Sequence, residues 1–272
     1  MSIKSVHKAL AVLEAVAKER DGLTAQEISS QLDLPYATAH RILSTLHSAG
    51  YLSFQKAHKV YRTGPRLLNL YGSVTQQDQL GRLVYPPLSK LSHDTKETVH
   101  LAIRHVNEVL YLETILPPHS FVMYTPAGSR SPIHSTALGK AMVAFSADEE
   151  IETLLEDYEF QRFTPNTIGS ADELWAEIHQ IRQVGYAIDK EESSIGVRCI
   201  ASIVANQAGY PEAAISASAS ANRLDSEQTI TEFAVVVCAA CREASKAIGG
   251  MLGPDPKLWY EELLKHRGFG TA

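Results

Sequence analysis

Hydrophobic residues in the first 64 positions recur at helical spacings, most clearly within residues 34–52. Five apolar residues fall on one side of a predicted helix: Ala39, Ile42, Leu43, Leu46 and Ala49. Pro35 suits the first turn, where its missing N–H costs nothing, and Gly50 suits the position after the last turn. The opposite side carries small and polar residues: Ala37, His40, Arg41, Ser44, Thr45 and Ser48. Such a slim polar side fits the DNA major groove, which is about 12 Å wide.

A second, shorter helix is predicted just before this one. Thr24 and Glu27 have the spacing of a capping box, which predicts a helix through Ile28 to Leu32. Asp33 and Leu34 then turn the chain into the next helix. Two short helices joined by a tight turn predict a helix-turn-helix whose second helix contacts bases. A pair of ordinary core helices has the same pattern and remains the alternative.

The segments on either side complete a small domain. Ser5 is expected to cap a helix over Val6 to Lys18, with Val6, Leu10, Leu13 and Val16 or Ala17 on its inner face. After the recognition helix, residues 51–54 and 60–62 are β-prone and flank a basic tip, which predicts a hairpin. A hairpin in this position is a wing, and its tip would lie at the phosphate backbone or minor groove. A solvated turn is the alternative.

The rest of the chain predicts an α+β domain, because its strands and helices come in groups and do not alternate strictly. Residues 65–79 are predicted to form a linker helix. A helix follows from Leu80, with Pro86 and Pro87 near its first turn or at a kink. Strands are expected at 97–106, 109–116, 120–125, 186–189, 197–206 and 212–219. Helices are expected within 133–144, which opens with possible caps, and at 147–157, 171–185 and 225–248. A tight turn is expected at Asn107 and Glu108.

These elements divide the chain into four parts. The expected boundaries are 1–64 for a winged helix-turn-helix, 65–79 for the linker helix, 80–250 for an effector-binding and oligomerisation domain, and 251–272 for a tail. The tail contains Leu258, Trp259, Tyr260, Leu263 and Leu264. We expect these residues to form a short helix that docks on the body or on a partner.

Charge strengthens the division into two domains. The whole chain of 272 residues has a net charge of −6, which alone argues against a nucleic-acid binder. Residues 1–70, however, carry nine Lys and Arg against five Asp and Glu, so they are +4 and the remaining 202 residues are −10. This asymmetry suggests a nucleic-acid-binding module attached to an acidic body. Ordinary variation between small domains is the alternative.

The cysteines and the lengths of the apolar runs indicate the cellular compartment. Three cysteines do not make a disulfide framework and suit a reducing environment. The N-terminus does not resemble a signal peptide, and no run of about 18 apolar residues predicts a membrane span. We therefore expect a cytoplasmic protein without membrane contact.

Metal or cofactor chemistry is not expected. Cys238 and Cys241 have a C-x-x-C spacing, but they lie in a Val-rich predicted helix without a second pair. His93, His100 and His105 lack a helical metal-binding spacing with acids, and His100 is expected in the core or in a pocket wall.

Several blocks together resemble the IclR family of bacterial transcription regulators. They are Ser5-Val6 with Ala9-Leu10 and Leu13, residues 34–51, Tyr61 with Gly64, Glu97-Thr98-Val99 with Leu101, His134 to Ala141, and residues 185–201. The resemblance covers nearly the whole chain to about Gly250. It implies a winged helix-turn-helix, a linker helix and a GAF-like effector-binding domain, in homodimers or homotetramers without enzymatic activity. The family's effectors are mostly small organic acids, including aromatic acids.

Two sets of site residues follow. The candidates for DNA contact are Tyr36, Thr38, His40, Arg41, Ser44 and Thr45 on the recognition helix, and Lys56, His58 and Lys59 on the wing. Arg41 is the strongest, because arginine can bond guanine with two hydrogen bonds. For each residue a solvated position is the alternative. Many relatives have Ser where this chain has Ala37, and Lys or Arg where it has Tyr36, so this helix is less basic than usual.

For the effector, the resemblance points to a carboxylate site. Its implied members are the Ala137-Leu138 backbone, Asp189, Cys199, Ser216 and Ser218. Helix N–H groups and hydroxyls can hold a carboxylate, and Asp189 could accept from a ligand hydroxyl or a protonated acid. Cys199 lies on one predicted strand and Ser216 on another, and along each strand every second residue points to the same side. Adjacent strands could therefore present both residues to one cavity. A small core residue is the alternative for Cys199, and packing is the alternative for the serines.

The sequence thus predicts a regulator that binds double-stranded operator DNA and responds to a small organic acid. The competing hypothesis is a thiol or acyl-transfer enzyme that uses Cys199, with the N-terminal unit as a protein-docking module. The charge asymmetry and the wing favour the regulator.

Overall fold

The computed structural model describes residues 3–70, 79–117 and 125–267. The chain divides into two compact units, Met1–Gln79 and Leu80–Ala272. The first unit is the predicted winged helix-turn-helix: α1 Lys4–Lys18, α2 Ala25–Gln31, α3 Tyr36–Ser48, β1 Leu52–Gln55 and β2 Val60–Thr63. The two strands pair antiparallel from Leu52 opposite Thr63 to Gln55 opposite Val60. All three helices and both strands contribute to one small core.

Local signals fix the ends of α2 and α3. The Thr24 N–H donates to Glu27 at 2.7 Å, and the Glu27 N–H donates to the Thr24 hydroxyl at 3.2 Å, which completes the predicted capping box. Asp33 turns the chain between α2 and α3 in a left-handed conformation (φ +49°), which Asp tolerates better than most residues. Gly50 has φ +80° directly after the α3 C-cap at Ala49, so the helix ends where the sequence predicts.

The prediction for α1 was wrong in two respects. The helix begins at Lys4, with Ile3 as an N-cap that makes no side-chain bond, so Ser5 lies inside the first turn. The inner face is formed by Val12, Ala15 and Val16, whereas Val6 and Leu10 are each about half exposed. Of the predicted inner residues only Val16 is buried, while Leu13 packs at the edge of the core. The reason is that α1 has two apolar stripes, and spacing alone does not show which of them faces the domain.

The linker region is described only in part. Residues 66–70 are helical, as predicted, whereas residues 71–78 of the predicted linker helix lie outside the described residues. The predicted strand at 120–125 also lies outside them, except for Thr125.

The second unit has an α+β architecture. Its helices are α4 Gln79–Thr95, α5 Ala137–Ala144, α6 Asp148–Leu155, α7 Ala171–Val184, α8 Glu227–Ala247 and α9 Trp259–His266, with 3₁₀ turns at Ile133–Ser135 and Pro256–Leu258. Its strands are β3 Thr98–His105, β4 Glu108–Ile115, β5 Arg130–Pro132, β6 Ala187–Lys190, β7 Val197–Ala205 and β8 Pro211–Ser220. They form one antiparallel sheet in the order β5-β4-β3-β8-β7-β6. None of the helices in the described ranges is long and apolar enough to cross a membrane.

Helices cover both faces of this sheet. The thiol of Cys238 in α8 lies near Ser202 of β7 and donates to the Gly185 carbonyl at 3.9 Å. Residues alternate along a strand, so Cys199 and Ala201 face the other side, where α5 packs. The core between these layers is apolar and fully buried at positions such as Leu101, Val143 and Ile203.

The structure departs from the sequence analysis or adds to it at three places in this unit: a turn, the position of two prolines and a short strand. The turn between β3 and β4 is formed by Val106 and Asn107, one residue earlier than expected, and Val106 has φ +59°. Pro86 and Pro87 lie in the middle of α4, not in its first turn. Proline costs hydrogen bonds there, but the fully buried side chains of Val84 and Leu88 beside it offset that cost. The short strand β5, paired with β4, was not predicted.

The tail packs on its own domain. The Trp259 side chain is buried and its indole N–H donates to the Gly253 carbonyl at 2.8 Å, while Leu263 is buried beside the main core. Of the two alternatives for the tail, docking on the body is the one found in the structure.

Candidate functional site

The outer side of α3 is a continuous exposed surface. Tyr36 is 52% exposed, His40, Arg41, Ser44 and Thr45 are also exposed, and Thr38 is half-buried at the edge. The opposite side is fixed by the buried Ala39 and Leu43. The Thr45 hydroxyl donates to the Arg41 carbonyl at 2.9 Å and keeps its lone pairs available for an external donor. Packing therefore presents the six predicted DNA-contact residues of α3 together.

The wing presents a separate basic tip. Lys56, His58 and Lys59 are exposed between β1 and β2, and Lys59 turns the chain with φ +55°. Two other basic residues near the wing are used within the domain. Arg62 donates to the Asp21 carbonyl at 3.1 Å, and Arg66 donates to the Ala49 carbonyl at 3.2 Å and lies over the Tyr51 ring. Of these basic residues near the wing, Lys56 and Lys59 therefore remain available to an external anion.

Sequence reasoning missed the part of α1 that borders α3. A groove of about 520 Å³ lies between these helices, and Lys4, Ser5 and Lys8 line one wall. Thr38, Arg41 and Thr45 line the other wall. The four-residue spacing of Lys4 and Lys8 places them on one side of a helix, whereas the apolar spacing of α1 predicts only its core face.

The second unit contains a small cavity of about 80 Å³ at the N-terminal end of α5, lined largely by residues with polar side chains. All six residues predicted for the effector line it: Ala137, Leu138, Asp189, Cys199, Ser216 and Ser218. The remaining lining residues are His100, Tyr111, Thr125, Ser131, Thr136 and Ser193. Of these, only His100 was predicted from the sequence, as a residue of the core or of a pocket wall. A volume of this size equals that of about three water molecules in the liquid.

Strand register brings the distant lining residues together. Cys199 of β7 lies opposite Asp189 of β6 on one side and Ser218 of β8 on the other. The Cys199 Sγ and Ser218 Oγ atoms are 3.1 Å apart. His100 of β3 lies opposite Ser216, and its ring meets the Tyr111 ring edge-on at 5.3 Å. Four adjacent strands, β3, β8, β7 and β6, therefore supply one wall of the cavity.

The N-terminus of α5 supplies the facing wall. The Thr136 hydroxyl accepts from the Gly139 N–H at 3.0 Å, so the helix starts directly after it. Ala137 and Leu138 occupy the first two helical positions, whose N–H groups have no acceptor within the helix. A Cβ on Gly139 would come within 2.3 Å of the Ile133 carbonyl oxygen, so only glycine allows the 3₁₀ turn to cross here.

Asp189 is the acidic group of the cavity. Its carboxylate accepts from the Glu192 N–H at 2.7 Å and from the Ser193 hydroxyl at 2.5 Å. Burial raises the pKa of Asp189, and the Ser193 bond and the nearby Lys140 ammonium oppose that rise. The same burial raises the pKa of Tyr111 to about 12, so the phenol keeps its proton and can donate.

A buried ion cluster supports the loop that carries Asp189. The Lys140 ammonium lies 2.6 Å from a Glu192 carboxylate oxygen, 3.2 Å from Glu177 and 2.5 Å from the Ile188 carbonyl oxygen. The Lys140 side chain is 0% exposed. Burial raises the pKa of Glu192 to about 7, against the opposing effect of the Lys140 ammonium. This cluster ties α5 to the segment on both sides of Asp189.

The other end of α5 is also fixed. Arg182 of α7 donates to the Ala144 carbonyl at 2.7 Å, and Arg267 of the tail donates to the Phe145 carbonyl at 2.8 Å. Cations at the C-terminus of a helix satisfy its last carbonyls and its dipole. The Arg182 guanidinium also lies 3.9 Å from the centre of the Tyr260 ring in α9. The helix that lines the cavity is therefore held at both ends.

Cysteine and metal chemistry find no support in the geometry. Burial raises the pKa of all three thiols, that of Cys238 to about 12, so the reactive thiolate is disfavoured. Cys238 and Cys241 are both buried in the core on α8. Over residues 3–70, 79–117 and 125–267, no group of three or more His, Cys, Asp or Glu is arranged to hold a metal ion.

Comparison with known proteins gives the class. The model for the C-terminal domain of the bacterial transcriptional regulator IclR matches residues 72–246, and the IclR helix-turn-helix domain matches residues 5–56. HTH-type transcriptional regulator KdgR of Dickeya chrysanthemi is 34% identical over 249 residues, which cover 91% of this chain and 81% of that protein. Transcriptional repressor IclR of Escherichia coli (strain K12) is 29% identical over 251 residues, which cover 92% and 91%.

Solved structures agree. The crystal structure of Thermotoga maritima IclR matches with a TM-score of 0.78 and 28% identity, over 91% of this chain and 100% of that chain. The fold and these matches define a DNA-binding transcription regulator. The chain belongs to the IclR family.

Proposed function

We propose that the protein binds operator DNA through α3 and the wing, and that a small carboxylate in the α5 cavity changes its operator affinity. The observation that carries the effector part is the cavity itself. Six positions from α5, β6, β7 and β8 meet there at a helix N-terminus. Helix N–H groups and hydroxyls favour an anion with several acceptor atoms. The buried Asp189 would select ligands that bring a hydroxyl or a proton to it.

The size of the cavity bears on the ligand. A volume of about 80 Å³ favours a compact acid, since drug-sized ligands usually occupy about 300 Å³ or more. The structure of an IclR homologue from Microbacterium hydrocarbonoxydans has been solved in complex with 4-hydroxybenzoate. It is 23% identical to this chain, with a TM-score of 0.77 over 90% of this chain and 99% of that chain. An aromatic acid of that kind would require the lining to move apart here. A thermal-shift screen with short-chain and aromatic acids shows which of these two sizes of ligand the protein binds.

For DNA, the decisive residue is Arg41. Replacing Arg41 by Ala should weaken operator binding by about 1–3 kcal/mol, since a bidentate contact to a base would be lost. The fold should persist because Arg41 is exposed. Arg20→Ala, an exposed arginine of the same unit that lies outside α3, serves as the control. Electrophoretic mobility shifts on a selected operator measure the effect, and unchanged binding by folded Arg41→Ala would reject the assignment.

The competing hypothesis is a thiol or acyl-transfer enzyme centred on Cys199. A nucleophilic thiolate needs a lowered pKa or an adjacent base. Burial does the opposite at Cys199, and its bonded neighbour is the Ser218 hydroxyl. The geometry thus favours a binding role for this cysteine. A DNA-binding regulator of this kind acts in the cytoplasm, where we place it.

We also propose that the protein binds DNA as a homodimer, with two α3 helices about one helical turn apart, roughly 34–36 Å, or a multiple of that distance. The support is the second stripe of α1: Ile3, Val6, Leu10, Leu13 and Ala17. Their spacing of three and four is that of a coiled-coil seam, and Ile3, Val6 and Leu10 are 66%, 50% and 51% exposed. The stripe is self-complementary, so the α1 helix of a second copy can pack against it.

A charge in the stripe should break the dimer. Leu10→Asp should lower the mass found in sedimentation below that of the wild-type oligomer of 29.8 kDa chains, because the carboxylate would be desolvated at the α1 seam. Operator affinity should fall with it, as one half-site contact is lost. Gln31→Asp on exposed α2 adds the same charge outside the stripe and should leave the dimer intact. A Leu10→Asp protein with the wild-type sedimentation mass and the wild-type operator affinity would contradict this use of α1.

A further inference from the structure

The groove between α1 and α3 has two walls of similar chemistry. Lys4 and Lys8 lie on the α1 wall and Arg41 on the α3 wall, and all three side chains are exposed. Hydroxyls of Ser5, Thr38 and Thr45 lie between the cations, and the floor is apolar: Ala9, Ile42 and Leu46. The residues that line the groove include no Asp or Glu.

These cations are not neutralised by the protein. In the part of the chain that the structure describes, none of Lys4, Lys8 and Arg41 forms an ion pair. Arg62 differs, because its guanidinium lies 3.7 Å from the Asp21 carboxylate. Cations that converge without a carboxylate repel one another, and a bound anion removes this cost.

The position of the groove identifies the anion. Thr38, Arg41 and Thr45 belong to the surface that we assign to DNA, and they also form one wall of the groove. When α3 lies in the major groove, the sugar-phosphate backbone passes along both of its flanks. The flank on this side is the α1 wall with Lys4 and Lys8. A strand of phosphates there meets two ammonium groups and the hydroxyls of Ser5 and Thr38, which can donate to it.

We propose that Lys4 and Lys8 of α1 contact DNA backbone phosphates in this groove, as a third element of the DNA-binding surface beside α3 and the wing. The inference rests on the proposed DNA-binding function. Lysine acts on phosphate as a point charge, so these contacts add affinity and orientation but no sequence preference. Ser5 supports them as a hydroxyl donor in the same turn of α1.

The test is the salt dependence of DNA binding by the full chain. Each phosphate contact contributes about 0.9 to the slope of log K against log salt concentration, so Lys4→Ala/Lys8→Ala should reduce the slope by about 2. Affinity should fall by a similar factor for operator and unrelated duplexes. Lys4→Arg/Lys8→Arg keeps both charges and should retain the wild-type slope. Lys18→Ala is the matched control, since Lys18 lies on the same helix about 21 Å from Lys4.

The outcomes separate the two proposals. A wild-type slope for Lys4→Ala/Lys8→Ala, or an equal loss in Lys18→Ala, would overturn the α1 contact while leaving the α3 surface in place. Loss of the dimer in sedimentation without a change of slope would show that these lysines serve a contact between copies, which also overturns it. If the wild-type protein has no salt-dependent DNA affinity, the proposed function itself fails. A reduced slope with the dimer intact supports the α1 contact.

Discussion

Lys140→Met should lower the free energy of unfolding by about 3–5 kcal/mol, because removing one partner of a buried ion pair leaves the other charge uncompensated. The Lys140 side chain is fully buried and lies 2.6 Å from Glu192 and 3.2 Å from Glu177. Methionine nearly preserves the volume but removes the ammonium group. Urea unfolding followed by circular dichroism measures the change.

The pH dependence of this effect has a definite sign. The folded pKa of Glu192 is about 7, above its ordinary value of 4.5, because of burial. A raised folded pKa means that the unfolded state binds fewer protons in this window, so the Glu192 contribution to stability falls as pH rises from about 4.5 to about 7. Without Lys140 the pKa of Glu192 should rise further. The cost of Lys140→Met should therefore be larger at pH 8 than at pH 5.

Two further variants make the interpretation specific. Lys190→Met removes a lysine that is 51% exposed and lies 3.7 Å from the same Glu177, and it should cost no more than about 1 kcal/mol. Lys140→Met/Glu192→Met replaces the whole pair with apolar side chains and should recover much of the loss. If Lys140→Met were as stable as Lys190→Met, the cluster would have no role in holding α5 to the Asp189 loop.

Ser218→Leu should abolish the response of DNA binding to the effector. Ser218 is buried at the wall of the cavity, and a leucine side chain would occupy most of the 80 Å³. An effector coupled by the usual 1–3 kcal/mol shifts operator affinity by about 5–150-fold, and this shift should disappear. Ligand-free DNA binding should remain near the wild-type level, since Ser218 lies in the second unit.

Controls separate a filled cavity from a damaged fold. Ser218→Ala removes the hydroxyl without filling the space, so it should weaken the response but not abolish it. Ser220→Leu, two residues further along β8, adds the same volume at a half-buried position that does not line the cavity, and it should respond normally. If Ser218→Leu still bound and answered its effector, the ligand site would have to lie elsewhere in the domain.

The first unit shows what local sequence signals can predict. The Thr24 and Glu27 capping box, the apolar spacing of α3 and the glycine at position 50 are contacts within a few residues, and the structure confirms all three. The prediction of the buried face of α1 was wrong because burial depends on which other element each apolar stripe contacts. That contact is not a local property of the sequence. The basic wall at Lys4 was missed for the same reason, since it exists only where α1 crosses α3.

The cavity shows a similar division. Strand alternation predicted that Cys199 and the serines of β8 could face one space, and the register places Cys199 opposite Ser218. The contribution of His100 depends on the pairing of β3 with β8, which are separated by more than 100 residues. The buried state of Lys140 depends on acids supplied by α7 and by the loop after β6. Neither the pairing of β3 with β8 nor the contacts of Lys140 produces a periodic pattern in the sequence.

The most direct test of ligand-controlled DNA binding is fluorescence anisotropy on a duplex that the protein selects from genomic fragments, with and without small carboxylates at fixed salt. The account predicts an affinity for this duplex at least about a thousand-fold above that for unrelated DNA of equal length. It further predicts that an acid which raises the melting temperature of the protein shifts this affinity by about 5–150-fold in one direction. Equal affinity for both duplexes, or a bound acid that leaves operator affinity unchanged, would contradict it.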